Sequence, residues 1–574
     1  MSNDSIPSGS LRAALNYAPQ PLKFGTSGRR GEVVHLTQLE IYLNARAELD
    51  YLLSLPVGEG GIRAGQDFFF AYDLRPSSTH LVAEQGGRGE LAQAIERAIR
   101  DAGLKPVNLG ALPTPALTAY ALSRGAGSMM ITGSHIPFDR NGYKTNSAKG
   151  ELLKTDEAPI NERVAMWRAR LYAQPAGESP FGANGLFKSG SQSLTLESPA
   201  GREFYLRRYT DFFAGQSLRG LRLVVYQHSA VGRDLLVELL RALGAEVIPA
   251  GRSETFVPID TEAIDNDTLE HTRQLAEQAT AAHGRVDAVV STDGDSDRPL
   301  LVGIDYDPAG QCLARFFGGD LVGMVVAEFL GADAVVVPVS CNDAIDRGPL
   351  QSLLEPKTRI GSPYVIAGME AARAKGRQRV CGWEANGGFL TGSNMERGGR
   401  VLPALPTRDA FLPILCVLFK MAAAGQRMSE VFAALPKRFS RAALLRKFPR
   451  ATSLKIIAAL SPAGDIPLTR PSATLSSSDG ERDGVRGAFD EIKLKLQKYF
   501  TPELGFGAVV RVDDTDGVRI HFMNGDVAHV RPSGNADELR IYAVADSQAR
   551  ADQIAAFGVA EPDGILRRLE RAFG

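Results

Sequence analysis

Residues 286–298 read VDAVVSTDGDSDR. The first half is a short run rich in valine, the pattern of a strand buried on both faces. The second half is a polar, glycine-bearing loop that starts where the strand ends. The same succession recurs at residues 128–137 (SMMIT, then GSHIP) and 379–388 (RVCGW, then EANGG). Each unit is expected to continue into helix-type sequence, and helical stretches are read at 89–103 and 232–244. Alternating strand and helix predicts parallel α/β sheets. Ligands of such sheets bind beyond the carboxyl ends of the strands, which is where all three polar loops fall.

Working outward, residues 411–424 form the most apolar stretch. It contains Lys420 and is too short to span a bilayer, so it reads as a buried helix. Residues 172–202 (rich in Gly, Ser and Pro) and 470–486 (RPSATLSSSDGERDGVR) read as linkers or insertions. Beyond them the pattern changes. Residues 507–512, 517–522, 527–531 and 539–544 read as short strands joined by Asp-Gly or Asn-Gly turns, so an antiparallel α+β domain is expected at the C-terminus.

The 574 residues are enough for several domains, and a net charge of -1 argues against a general nucleic-acid or anionic-membrane binder. Cys312, Cys341, Cys381 and Cys416 have no CxxC or zinc spacing, which suits reduced structural thiols. No secretory leader is read in MSNDSIPSGSLRAAL. The expected location is cytoplasmic.

Asp293, Asp295 and Asp297 alternate in one tight loop. Carboxylates so close repel unless a cation lies between them, and all-oxygen ligands suit Mg²⁺ or Ca²⁺ rather than zinc. An EF-hand is excluded, because Arg298 and Ile304 stand where its Gly and Glu belong. Ser134 follows a glycine at a strand end, but the G-x-S-x-G elbow of serine hydrolases is absent. With His135 beside it and Lys144 near, it could accept and return a phosphoryl group. Arg531, Ser533, Gly534 and Asn535, with Arg540 beyond, suit a phosphate that is held and not transferred. Glu384 and Asn386 could bind adjacent sugar hydroxyls. Residues 23–31 (KFGTSGRRG) lack the Walker spacing, yet two arginines on a glycine-rich turn suit an anion.

In this order, these loops resemble the α-D-phosphohexomutase superfamily, and the variants SHIP, YQHSAVGRD, GSPYVIAGM and EANGGF resemble a bacterial phosphomannomutase/phosphoglucomutase subgroup. Ile136, Asn386 and Asn535 depart from the family's usual residues. The resemblance implies three α/β domains with mixed, mainly parallel sheets and a C-terminal α+β domain around a central cleft. The boundaries expected are 1–190 (phosphoserine), 200–313 (metal), 314–435 (sugar) and 440–574 (phosphate). It implies reversible phosphoryl transfer between C1 and C6 of a hexose phosphate through a phosphoserine at Ser134 and a hexose 1,6-bisphosphate. Mg²⁺ is expected on Asp293, Asp295, Asp297 and a Ser134 phosphate oxygen, with Arg30 and Arg298 adding positive charge. His135 and Lys144 are both candidates for proton transfer. Glu384 and Asn386 would orient the sugar; Arg531, Ser533, Gly534, Asn535 and Arg540 would hold its phosphate. The expected assembly is a monomer or homodimer. Competing readings are a hexose 1,6-bisphosphate synthase, a metal-dependent sugar phosphatase and a non-catalytic sugar-phosphate binder.

Overall fold

The computed structural model describes residues 9–574 except 26, 263, 462–473, 477–482 and 534–536; for 474–476 and 483–489 only the backbone is described. The chain forms two compact units, Met1–Phe317 with Gly388–Met428, and Gly318–Gly387 with Ser429–Gly574.

In the first unit, one sheet has the order Arg29–Glu32, Arg140–Ser147, Ser128–Ile131, Asp67–Tyr72, Lys105–Ala111. Its interior strand Asp67–Tyr72 carries Phe68, Phe69 and Phe70, all buried. Alternation sends Phe68 and Phe70 into the layer formed by helices Gln38–Ser54 and Leu91–Asp101. Phe69 faces the opposite way and meets Tyr120 of helix Thr114–Ser123 edge-on at 5.1 Å. Ser128–Ile131 runs parallel to Asp67–Tyr72, so the residues that follow both strands emerge at one edge.

A second sheet has the order Glu246–Arg252, Arg222–His228, Ala288–Thr292, Pro299–Tyr306, Cys312–Phe316. Both sheets are mixed. After the loops at 133–139 and 293–298 the chain turns back as an antiparallel strand, and after 384–388 it enters the strand Phe389–Thr391, where the sequence pattern suggests a helix in all three places. The cause lies in sequences such as PLLVGI at 299–304: a short run buried on both faces has no period that separates strand from helix. The aspartates therefore sit in a hairpin whose ends are pinned by the Thr292–Pro299 pair.

Residues 174–199 are no linker. Phe181 and Phe187 are buried, stack on each other at 4.8 Å and pack edge-on against Tyr42. Phe411–Ala424 is a buried helix, as its composition requires.

In the second unit, strands Ala334–Val336 and Val380–Trp383 pair in parallel. The C-terminal sheet is antiparallel, in the order Phe439–Arg446, Glu538–Ala545, Val527–Pro532, Val518–Phe522, Val509–Asp513, Thr474–Ser476. Gly517 and Gly525 take positive φ at the two expected hairpin turns. The first of these strands escapes the sequence pattern, and most of the Ser-rich stretch lies outside the described residues. Among the described residues no helix is long and apolar enough to cross a membrane.

Trp383 is fully buried, and its indole N–H donates to the Asp320 carbonyl at 3.0 Å. Helix Gly319–Leu330 packs against its ring through Gly323, where a Cβ would lie 2.3 Å from ring carbons. Gly323→Ala is expected to destabilise this unit by about 1–3 kcal/mol, measured by urea unfolding followed through tryptophan fluorescence.

Candidate active site

The hairpin at 293–298 closes through the Asp293 N–H, which donates to the Arg298 carbonyl at 3.0 Å. Asp293, Asp295 and Asp297 are all fully or nearly fully buried, and one oxygen from each lies within 4.8 Å of the others. The protein engages these carboxylates unevenly. Asp295 Oδ2 accepts from Lys144 Nζ at 2.7 Å and from Thr114 Oγ1 at 2.6 Å. Asp297 Oδ2 accepts from Lys144 Nζ at 2.7 Å and from Arg408 at 2.9 and 3.1 Å. Asp295 Oδ1 and Asp297 Oδ1 are buried with no hydrogen-bond partner, the latter with Arg298 Nε 3.5 Å away. A buried charged oxygen left unsatisfied costs at least about 1–3 kcal/mol. Two such oxygens beside a third carboxylate form the donor set of a hard divalent cation, so the trio fits a metal ion.

The charges explain the titration. Burial, then Asp295 and Asp297, push the Asp293 carboxyl well above the usual range. Burial also pushes Asp297 upward, but Arg408, Lys144 and Arg298 more than reverse it and hold it well below that range. Asp295 is likewise pushed up by burial and by Asp297, then brought below its ordinary value mainly by Lys144.

Ser134 Oγ donates to Asp293 Oδ2 at 2.8 Å, so the candidate carrier touches the metal-binding trio. Gly294 permits this approach, because a Cβ there would sit 2.6 Å from the Ser134 carbonyl. Ser134 adopts φ +54°, a left-handed conformation costing on the order of 1–3 kcal/mol for a non-glycine residue. A buried ion pair holds it there. Arg75 Nη2 donates to the carbonyls of Ser134 (2.8 Å) and Ile136 (2.5 Å), and Nη1 to those of Pro137 (2.7 Å) and Arg140 (2.9 Å). Asp73 lies 3.2 Å from Arg75 Nε and accepts from Thr132 Oγ1 at 2.8 Å. Gly133 leaves room, since a Cβ would fall 2.6 Å from Arg75 Nε.

Lys144 uses its ammonium on two carboxylates. Arg298 Nη1 donates to His135 Nδ1 at 2.9 Å, and that nitrogen lies 3.4 Å from Ser134 Oγ. Strand alternation separates the two arginines of the glycine-rich turn. Arg29 is buried and its Nε donates to Glu48 at 2.6 Å, a structural role. Arg30 is on the other face, in electrostatic range of Asp295, Arg298, Arg408 and Asp297. Burial, together with Arg298 and Arg408, pushes its guanidinium down to about 10. Its Nε is buried without a hydrogen-bond partner. Asp73, Arg75, Thr114 and Arg408 carry much of this geometry and belong to none of the sequence motifs. The DLR triplet at 73–75, directly after a strand-type run, is the one sequence signal that could have pointed to Asp73 and Arg75.

In the second unit, Glu384 and Asn386 are buried on a turn closed by the Gly387 N–H, which donates to the Glu384 carbonyl at 2.9 Å. Gly387 and Asn386 press on the start of helix Gly319–Leu330, where a Cβ on Gly319 would lie 2.1 Å from Gly387 N. Arg531 and Arg540 stand directly opposite each other on neighbouring antiparallel strands. Such a like-charge pair is unfavourable unless anions balance it. Asp516 accepts from Arg531 Nε at 2.9 Å and Glu538 from Arg540 at 3.0 Å. Ser533 is buried, and its N–H donates to the Glu538 carbonyl at 2.9 Å. Gly534 and Asn535 lie outside the described residues.

Four models of one family match successive parts of the chain. Phosphoglucomutase/phosphomannomutase alpha/beta/alpha domains I, II and III match residues 21–170, 204–305 and 318–439, and the C-terminal domain matches 482–560. A phosphomannomutase of Sinorhizobium fredii is 37% identical, over 94% of this chain and 98% of the relative. One of Salmonella muenchen is 36% identical, over 93% and 94%. The crystal structure of a phosphoglucomutase/phosphomannomutase family protein from Burkholderia thailandensis shares the fold, with a TM-score of 0.60 and 18% identity over 95% of this chain and 97% of that one. The chain belongs to the phosphoglucomutase/phosphomannomutase family and is a hexose-phosphate mutase, an isomerase that works by intramolecular phosphotransfer.

Proposed function

We propose that this mutase interconverts mannose 1-phosphate and mannose 6-phosphate, with Ser134 as the phosphoryl carrier and Mg²⁺ as the metal. The hexose rests on the phosphomannomutases at 37% and 36% identity, which match nearly end to end. The carrier rests on one observation: Ser134 Oγ lies 2.8 Å from Asp293, inside a carboxylate trio ringed by cations.

Transfer begins when the sugar hydroxyl attacks the phosphorus on Ser134. The Ser134 O–P bond breaks, a sugar O–P bond forms, and the product is a hexose 1,6-bisphosphate. The bisphosphate then turns over and the Ser134 hydroxyl attacks its other phosphorus: that sugar O–P bond breaks and a new Ser134 O–P bond forms. The sugar hydroxyl loses its proton as it attacks and the departing Ser134 oxygen gains one, so Ser134 ends the first half as a hydroxyl; in the second half Ser134 gives up its proton and the departing sugar oxygen takes one. Asp293, Asp295 and Asp297 would hold Mg²⁺ with a Ser134 phosphate oxygen, and the bound ion neutralises charge on the group in transit. Arg30, whose Nε has no protein partner, supplies donors to the phosphoryl oxygens. Lys144 donates to two carboxylates and serves as their charge partner, while His135, whose Nδ1 accepts from Arg298 and lies 3.4 Å from Ser134 Oγ, is the proton-transfer candidate placed beside the carrier. Arg531, Ser533 and Arg540, with Gly534 and Asn535 of the same motif, hold the phosphate that is not moving, while Glu384 and Asn386 take ring hydroxyls. A cradle built mainly from charge accepts either end of the sugar.

Ser134→Ala is expected to slow isomer interconversion by at least about 1,000-fold and to abolish phosphate on the Ser134 peptide in mass spectra. Full-speed interconversion by this variant rules the carrier out, and net release of bisphosphate or inorganic phosphate in place of isomer marks a synthase or a phosphatase. Arg75→Met strands buried Asp73 without its partner. It is expected to cost about 3–5 kcal/mol in denaturant unfolding and to lower kcat more than KM where the protein remains folded. Arg531→Met is expected to raise KM for the sugar phosphate roughly tenfold, the loss of one charge-assisted bond, with the metal activation constant unmoved in the same assays.

A further inference from the structure

Arg408 reaches the carboxylate trio from strand Leu405–Asp409, outside every motif above. Thr407, Arg408 and Asp409 are 1%, 3% and 2% exposed, so both faces of this strand are covered. Its pairing with Phe389–Thr391 is irregular. Phe389 lies opposite Asp409 and Thr391 opposite Leu405, so extra residues are accommodated on the Arg408 strand. An irregularity of this kind re-aims side chains.

Both neighbours of Arg408 are tied down. Tyr205 and Tyr209 donate their hydroxyls to Asp409, the former at 2.7 Å, and the Phe411 N–H donates to it at 2.9 Å. Thr407 Oγ1 donates to Glu151 at 2.6 Å. The stem of Arg408 lies against Gly388, where a Cβ would be 2.5, 2.6 and 2.9 Å from its Cδ, Cγ and Cβ. Gly388 is not in the left-handed region, so the glycine is required by this contact and not by its backbone conformation. The guanidinium then places Nε and Nη2 on the same oxygen, Asp297 Oδ2, at 3.1 and 2.9 Å. Lys144 takes that oxygen too, and Oδ1 is left without a hydrogen-bond partner.

We propose that Arg408 is a positioning residue for the divalent-cation site: its fork fixes the rotation of the Asp297 carboxylate and presents Oδ1 to the ion. This rests on the reading of the aspartate trio as the cation site. A cation that only offset charge would compete with the metal, and its removal would tighten binding. A residue that orients a ligand has the opposite effect: its removal weakens binding by roughly 10–100-fold.

The test is Mn²⁺ affinity of the whole, dephosphorylated chain without sugar, read from the free-ion paramagnetic resonance signal, with circular dichroism confirming the fold of each variant. Arg408→Gln is expected to weaken Mn²⁺ binding roughly 10–100-fold. Arg408→Lys, which restores charge without a fork, is expected not to rescue it. Gly388→Ala, which keeps Arg408 but displaces its stem, is expected to weaken binding in the same direction. At saturating Mn²⁺, KM for the sugar phosphate is expected to be unchanged in all three. Parental or tighter Mn²⁺ binding in Arg408→Gln or Gly388→Ala, or full rescue by lysine, overturns the proposal. If Arg408→Gln does not fold, the lysine and alanine variants decide. Asp295→Asn separates the two readings: if it binds Mn²⁺ like the parent, the trio reading fails; if it loses binding while Arg408→Gln keeps it, only the role of Arg408 falls.

Discussion

Three carboxylates within 4.8 Å of one another, out of contact with water, repel each other by several kcal/mol per pair even at an effective dielectric of about 20. Much of the first unit can be understood as a response to that repulsion. Lys144 comes from a strand of the first sheet, Arg298 from the aspartate hairpin itself, and Arg408 from a segment more than one hundred residues further on. Each arrives on a rigid element, because a flexible cation would lose most of its attraction to conformational entropy. The same demand explains glycines at close approaches. Gly28, with positive φ, lies where a Cβ would be 2.9 Å from Lys144 Cγ, and Gly294 and Gly388 make comparable room for Ser134 and Arg408.

Ser134, the proposed carrier, is bound to this charge cluster by topology as well as by its hydrogen bond. Ser128–Ile131 and Asp67–Tyr72 are parallel neighbours, so the Ser134 loop and the Asp73–Arg75 pair leave the sheet side by side. Arg75 can therefore bridge four carbonyls of one loop. Few residues could do so, because the guanidinium alone offers five donors in a fixed plane. The strained φ of Ser134 is held by this network, and the serine is preorganised toward Asp293 before any ligand binds.

The parts of the site that were legible in sequence are those where chemistry and backbone conformation coincide in one short loop: Ser134 with its glycine, the alternating aspartates, the Asp-Gly and Asn-Gly turns. Arg30 could be picked out, but not its division of labour with Arg29, which depends on which face of a strand each occupies. Thr114 and Arg408 were invisible because each acts through tertiary contact from a position with no local signature, and Arg75 offered only the DLR triplet after its strand. Arg408 becomes meaningful only once the fold sets its strand beside the aspartate hairpin. The two hairpin returns were misread as helices for a related reason: a run buried on both faces carries no periodicity, and only its hydrogen-bonded neighbour decides its state.

Charge accounting also constrains how a phosphorylated carrier and a divalent ion share the site. Lys144, Arg298, Arg408 and Arg30 set four positive charges around three carboxylates, so the protein's own groups nearly balance. A serine phosphate brings close to two negative charges at neutral pH, and a divalent ion brings two positive ones. If Ser134 carries the phosphoryl group and the trio holds the ion, their charges would offset each other. Were the cations fewer, the ion alone would have to neutralise the trio and would hold the transferred group too weakly. Were they more numerous, the carboxylates would be fully paired and no oxygen would remain for the ion. Asp295 Oδ1 and Asp297 Oδ1, buried without a hydrogen-bond partner while their sister oxygens are crowded with donors, are where that balance is visible.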